Sequence, residues 1–138
     1  MNADHLDWPF FDVEHRTLAA ALGDVALPTA EGVSRDAVDR QCRALVRALG
    51  DAGVLRHCIP GEYGGARPAV DSRALCVIRE SLAYRDGLAD FAFAMQGLGS
   101  GAITLAGTNE QRARWLPRVA GGEAIAAFAL SEPDAGSD

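Results

Sequence analysis

Lysine is missing from the chain: its thirteen basic residues are all arginine, set against nineteen acidic ones. The resulting net charge of −6 argues against nucleic acid as the main partner, because phosphate binding draws on clustered positive charge. The absence of lysine itself reads as codon bias rather than chemistry. Cysteine is scarce, with only Cys42, Cys58 and Cys76, an odd number and no CxxC pair. This argues against a disulfide framework or a zinc site and predicts reduced, mostly buried thiols. His5, His15 and His57 are scattered, with none at metal-ligand spacing, so no metal is expected. There is no Gly-x-Ser-x-Gly elbow and no Walker loop. The glycine-rich "GLGSG" at 97–101 does not follow a strand, which argues against a dinucleotide fingerprint.

The N-terminus, "MNADHLDWPF", lacks the basic and apolar blocks of a signal peptide, so a cytoplasmic location is expected. From Phe91 to Asn109 no residue is charged. That run contains Gln96, Ser100, Thr104, Thr108 and four glycines, a poor lipid-facing helix, and no membrane span is expected.

What is present describes a soluble globular domain: 138 residues, 49% hydrophobic and 23% charged. A first helix is expected from about Asp12 to Val25, with Leu18, Leu22 and Val25 on one face. Ser34 is a good N-cap for a second helix, whose core face reads Val38, Cys42, Leu45, Val46 and Leu49. Gly50 or Gly53 would end it in a left-handed turn. Asp71 caps a third helix with Leu75, Ile78 and Leu82 inward. Residues 91–106 form a fourth helix, apolar nearly all round and therefore central. Its glycines predict either a close approach to its backbone or a break near Gly97 to Gly101. Thr108 and Gln111 make a capping box for a fifth helix, kinked or restarted at Pro117 and ended by Gly121 and Gly122. "EAIAAFALS" reads as one short strand. An unpaired strand edge would leave residues 123–138 disordered or paired with another chain.

No nucleophile, base and orienter come together in this pattern. Glu62 beside Tyr63 reads as a surface loop rather than a catalytic pair. In "FALSEPDAGSD" a strand delivers Ser131 at its end, and the turn at Ala135 to Ser137 can aim successive N–H groups at an anion.

"ALSEPDAGSD" closely resembles the first signature of the acyl-CoA dehydrogenases. "IPGEYGGAR" (59–67) is similar to that family's proline-acid-Tyr-Gly-Gly loop, and "VIRESLAYRD" resembles its helix ending in an acid-Leu-Ala motif. The run 106–138 follows the family's order of Gly, Gln, aromatic-Leu-Pro and Gly-Glu up to the signature. The resemblance implies an all-α chain: the helical N-terminal domain of that fold, residues 1–122. One C-terminal strand, within 123–138, would start a truncated middle β-domain.

It also implies FAD as cofactor. Phe128, Ala129, Leu130 and Ser131 would lie along the flavin, with the Ser131 hydroxyl near its N5 edge. Gly136 and Ser137 would face the pyrophosphate, and Ser137 would also touch the CoA part of the substrate. Ser131 stands where the family often has Thr, and Asp134 where it often has a small residue. Met95, Gln96 and Leu98 are the candidates for the acyl pocket. The implied reaction is α,β-dehydrogenation of an acyl-CoA: a glutamate takes the α-proton, the β-hydride passes to flavin N5, and an electron-transfer flavoprotein accepts the electrons. That glutamate belongs to the family's C-terminal domain. Glu80, Glu110, Glu123 and Glu132 match no such motif, so this fragment is expected to have no catalytic residue and no activity alone. The parent protein would be a homotetramer or homodimer. The alternatives are a flavin oxidase or monooxygenase of the same fold, or a helical interaction module without catalysis.

Overall fold

The computed structural model describes residues 4–29, 32 and 34–129. The all-α expectation holds: five helices form the domain, and among the described residues there is no strand. They are α1 (Val13–Gly23), α2 (Arg35–Asp51), α3 (Ser72–Arg85), α4 (Gly87–Ala106) and α5 (Asn109–Ala120). Short 3-10 turns cover Asp4–Asp7, Val54–Cys58 and Gly61–Tyr63.

Side-chain caps set the boundaries, since the first N–H groups of a helix have no partner within it. The Asp12 carboxylate accepts from the amides of Glu14 and His15, Ser34 from Ala37, Asp71 from Arg73, and Thr108 from Gln111. Asp86 ends α3 and caps α4, accepting from Leu88 and Ala89, so the chain reverses with no loop between these helices. Gly53, at φ +73°, makes the left-handed turn after α2.

Helix α4 is central, packing against α2, α3 and α5. Phe93 fills the middle of a core with Leu22, Leu45, Leu49, Leu55, Ile78, Leu82 and Leu116. The C-terminal ends of α2 and α5 cross so closely that a Cβ on Gly50 would lie 2.5 Å from the Gly121 carbonyl oxygen. Arg85 ties α3 to the end of α1 by donating to the carbonyls of Leu22 and Val25.

Three expectations are corrected, and one pair of alternatives is decided. The core face of α2 is turned by part of a residue step: Ala37 and Gln41 are buried, Cys42 is half-buried and Val38 is 40% exposed. The Gln41 amide tolerates burial because it donates to the Pro28 carbonyl. Helix α5 runs through Pro117 to Ala120 without a restart. Helix α4 is unbroken at its glycines, so of the two expected alternatives the close approach is the one realised. Finally, Ala124 to Ala129 form no strand, because among the described residues there is no neighbouring strand to pair with. Nor does the segment need another chain at its start: Ala124 and Ala126 hydrogen-bond to Gln96 of α4.

Candidate functional site

Helix α4 carries two surfaces of different character. At 100° per residue, Phe93, Ala94, Gly97, Leu98, Gly101, Thr104 and Leu105 share one face. With Cys58, Val70, Leu75 and Arg79 they line an open groove of about 380 Å³. Its walls are almost wholly apolar. Gly101 makes room, since a Cβ there would meet nothing within 4 Å. The Cys58 thiol in the wall is pushed up to about 12 by burial, so it is an inert hydrophobe rather than a nucleophile. The groove's polar features are few. Arg79 binds Asp90 through two hydrogen bonds of 2.8 Å, which hold its guanidinium more firmly protonated. The buried Oγ1 of Thr104 has no hydrogen-bond partner among the described residues.

On the opposite face of α4 lie Phe91, Ala92, Met95, Gln96 and Gly99. Gln96 has no exposed surface. Its Nε2 donates to the Ala124 carbonyl (2.9 Å) and its Oε1 accepts from the Ala126 amide (2.5 Å). A Cβ on Gly99 would come within 2.7 Å of the Ala127 carbonyl oxygen. The segment after α5 is therefore seated directly on α4. Beyond this seat Phe128 and Ala129 are exposed, and among the described residues nothing hydrogen-bonds the Ala127–Ala129 backbone.

The structure separates the three acyl-pocket candidates. Leu98, half-exposed, is on the groove, whereas Met95 and Gln96 line a smaller cavity of about 150 Å³ with Ile125 and Ala126. Of the flavin-segment candidates, Phe128 and Ala129 are described; Leu130, Ser131, Gly136 and Ser137 lie outside the described residues. Glu62 sits exposed in the 3-10 turn Gly61–Tyr63, as a surface loop residue should. Gly97, Gly101, Thr104 and Arg79 were not singled out from sequence as pocket residues. The signal for them was the glycine spacing within an uncharged helix, which announced close approach without saying on which face.

No group of three His, Cys, Asp or Glu suited to a metal occurs among the described residues, and no described helix is long and apolar enough to cross a membrane.

Residues 14–123 match the family model described as "Acyl-CoA dehydrogenase, N-terminal domain". The chain belongs to the acyl-CoA dehydrogenase family. Its helical fold is that of the family's N-terminal domain. It is 33% identical to a probable acyl-CoA dehydrogenase of Bacillus subtilis, over 93% of this chain and 22% of that protein. It is 34% identical to the probable acyl-CoA dehydrogenase fadE25 of Mycobacterium leprae, over 94% of this chain and 35% of the relative. A 3-(aryl)acrylate reductase of Clostridium sporogenes shares 32% identity over 94% of this chain and 34% of its own length. The chain thus spans between about a fifth and a third of these relatives.

Proposed function

We propose that this acyl-CoA dehydrogenase domain is the helical part of an FAD-dependent oxidoreductase that desaturates an acyl-CoA thioester between its α and β carbons. One observation carries the reading: α4 presents an apolar groove on one face and seats, on the other, the segment that runs into the "ALSEPDAGSD" signature. The groove suits an acyl chain, since each buried methylene stabilises by about 0.8 kcal/mol. Leu98 is its proposed contact; Met95 and Gln96 stand behind it, against the flavin segment.

Phe128, Ala129, Leu130 and Ser131 would lie along the flavin, the Ser131 hydroxyl at its N5 edge. Gly136 and Ser137 would hold the pyrophosphate, with Ser137 also against CoA. Bound FAD would supply the two-electron acceptor for the β-hydride. The residues of this chain bind, orient and exclude water, and take no proton, because none of its glutamates matches the family's base. On this reading residues 1–122 are the helical domain and 123–138 begin the next. The isolated chain is inactive, and the whole protein is a cytoplasmic homo-oligomer that passes electrons to an electron-transfer flavoprotein.

The likeness to the 3-(aryl)acrylate reductase supports a second reading, in which a related site reduces a carbon–carbon double bond. Steady-state assays of the full-length, FAD-loaded protein separate the possibilities. A dehydrogenase turns over acyl-CoA with a dye or flavoprotein acceptor and slowly with oxygen alone. An oxidase or monooxygenase needs only oxygen, and a reductase consumes an aryl acrylate when supplied with reductant. Turnover of none of these would leave the non-catalytic module as the reading.

A further inference from the structure

Gln96 is buried, and both ends of its side-chain amide serve a segment about twenty-eight residues away rather than its own helix. In an extended chain the carbonyl of one residue and the amide two residues on point to the same side. A neighbouring parallel strand engages such a pair with one N–H and one C=O. The Gln96 side-chain amide does this with Ala124 and Ala126. It stands in for a strand that α4 cannot provide. The helix beneath is shaped to match. Gly99, one turn on, has no Cβ and so admits the Ala127 backbone and the Ala126 methyl, while the fully buried Ser100 hydroxyl donates to the Gln96 carbonyl at 2.6 Å. About two residues beyond the clamp the chain reaches Phe128, and on the other face of α4 lies the groove, bounded by Gly97, Leu98 and Gly101.

We propose that Gln96 is a positioning residue: its amide fixes where the chain at Phe128 and Ala129 leaves α4, and thereby sets the placement of the flavin relative to the chain held in the groove. The proposal rests on the flavin-dehydrogenase reading above and adds to it a role for a residue that touches neither ligand. Losing both hydrogen bonds frees the Ala124 carbonyl and the Ala126 amide in a half-buried place, where unpaired backbone groups are unfavourable, so the segment shifts to find other partners. Such a shift should affect the reacting geometry far more than the grip on acyl-CoA, because small misplacements act on the rate of the chemical step.

The test uses the full-length protein, wild type and Gln96→Met, which keeps the approximate shape and removes both bonds. Hydrogen exchange in peptides covering 124–129 is measured together with FAD affinity, the flavin absorption band, the anaerobic rate of flavin bleaching and the acyl-CoA dissociation constant. The expected result is at least tenfold faster exchange at 124–127 with α4 itself unchanged, a shifted flavin band, and bleaching slowed about tenfold. Acyl-CoA affinity should move less than threefold. Gln96→Glu keeps the oxygen that receives the Ala126 amide and should recover part of each effect. If Gln96→Met does not fold, Gly99→Ala, which leaves the amide intact and crowds the Ala127 carbonyl, should move the same readouts in the same direction. Unchanged exchange would overturn the clamp. Faster exchange with an unaltered flavin band and bleaching rate would overturn the positioning role. Wild-type protein that takes up no FAD would instead sink the dehydrogenase reading, and the positioning role with it.

Discussion

His15 has no exposed surface, and each of its ring nitrogens faces a carboxylate that caps a helix. Asp12 Oδ1 lies 2.8 Å from Nδ1, and Asp71 Oδ2 3.0 Å from Nε2. One ring thus ties the starts of α1 and α3, with Arg67 and Arg73 closing the cluster around Asp71. Burial pushes the Asp71 carboxyl up, but hydrogen bonds from the Arg73 amide and the His15 ring, with the Arg73 charge, outweigh it and leave it below the usual carboxylate range. A depressed carboxyl contributes stability that is present above its unfolded value, near pH 4, and lost as the pH falls through its folded one. Asp71→Ala should therefore cost about 1–2 kcal/mol at pH 7, from the lost cap and the unpaired ring. In urea titrations the gap to wild type should narrow below about pH 4; a constant gap would mean that the charge on Asp71 does not matter. The caps at Ser34, Asp71 and Thr108 were legible because a cap is a local pattern. The link from Asp71 to His15 was not, because it spans 56 residues of sequence. The roles proposed for Ser131 and Ser137 come from the signature and the turn it contains. In the full-length protein Ser131→Ala should slow flavin bleaching by up to about tenfold, the scale of one hydrogen bond, with little change in acyl-CoA binding. Ser137→Ala should mainly weaken FAD or CoA retention. Wild-type bleaching in the first and wild-type FAD affinity in the second would withdraw both roles.

At the scale of elements, two glycines of α4 only two residues apart do opposite things. Gly101 looks into the open groove, so Gly101→Ala gains helix propensity and should stabilise the domain by about 0.5–1 kcal/mol. Gly99 lies against the Ala127 backbone, so Gly99→Ala should destabilise despite the same gain in propensity. Thermal or urea unfolding of the pair reads the sign directly, and two changes of the same sign would contradict this packing. Periodicity alone had placed the helices and anticipated close approach at this one. It could not say which glycine meets backbone and which meets space, since that depends on a segment that arrives after α5. The same limit explains α2. Val38 and Cys42 fit the apolar stripe as well as Ala37 and Gln41, and the choice fell to the Pro28 carbonyl, which Gln41 reaches. The strand expected in "EAIAAFALS" has the right composition, but among the described residues no strand partners it, and at Ala124 and Ala126 a side-chain amide takes that place.

For the whole molecule, the groove is the feature that joins fold to function. Leu105 stands at its edge, 84% exposed, two turns along α4 from the half-exposed Leu98. Leu105→Glu should leave stability within about 0.5 kcal/mol, as exposed substitutions do. It should also weaken acyl-CoA binding by the full-length protein severalfold or more, since a carboxylate there loses water when an acyl chain enters. Equal affinity for acyl-CoA would mean that the chain binds elsewhere. The family was legible in the order of motifs; the groove was not, because its walls come from α3, α4, the 3-10 turn Val54–Cys58 and Val70 in the loop before α3 together. The central claim, that this domain serves flavin-dependent desaturation of an acyl-CoA, is met most directly by one anaerobic titration. The full-length protein, loaded with FAD, is mixed with acyl-CoA thioesters of increasing chain length while flavin absorbance is followed and the thioester product is identified. The account predicts stoichiometric bleaching by at least one acyl-CoA and recovery of its α,β-unsaturated thioester. A flavin that stays oxidised with every thioester, in a protein that binds FAD normally, would contradict it.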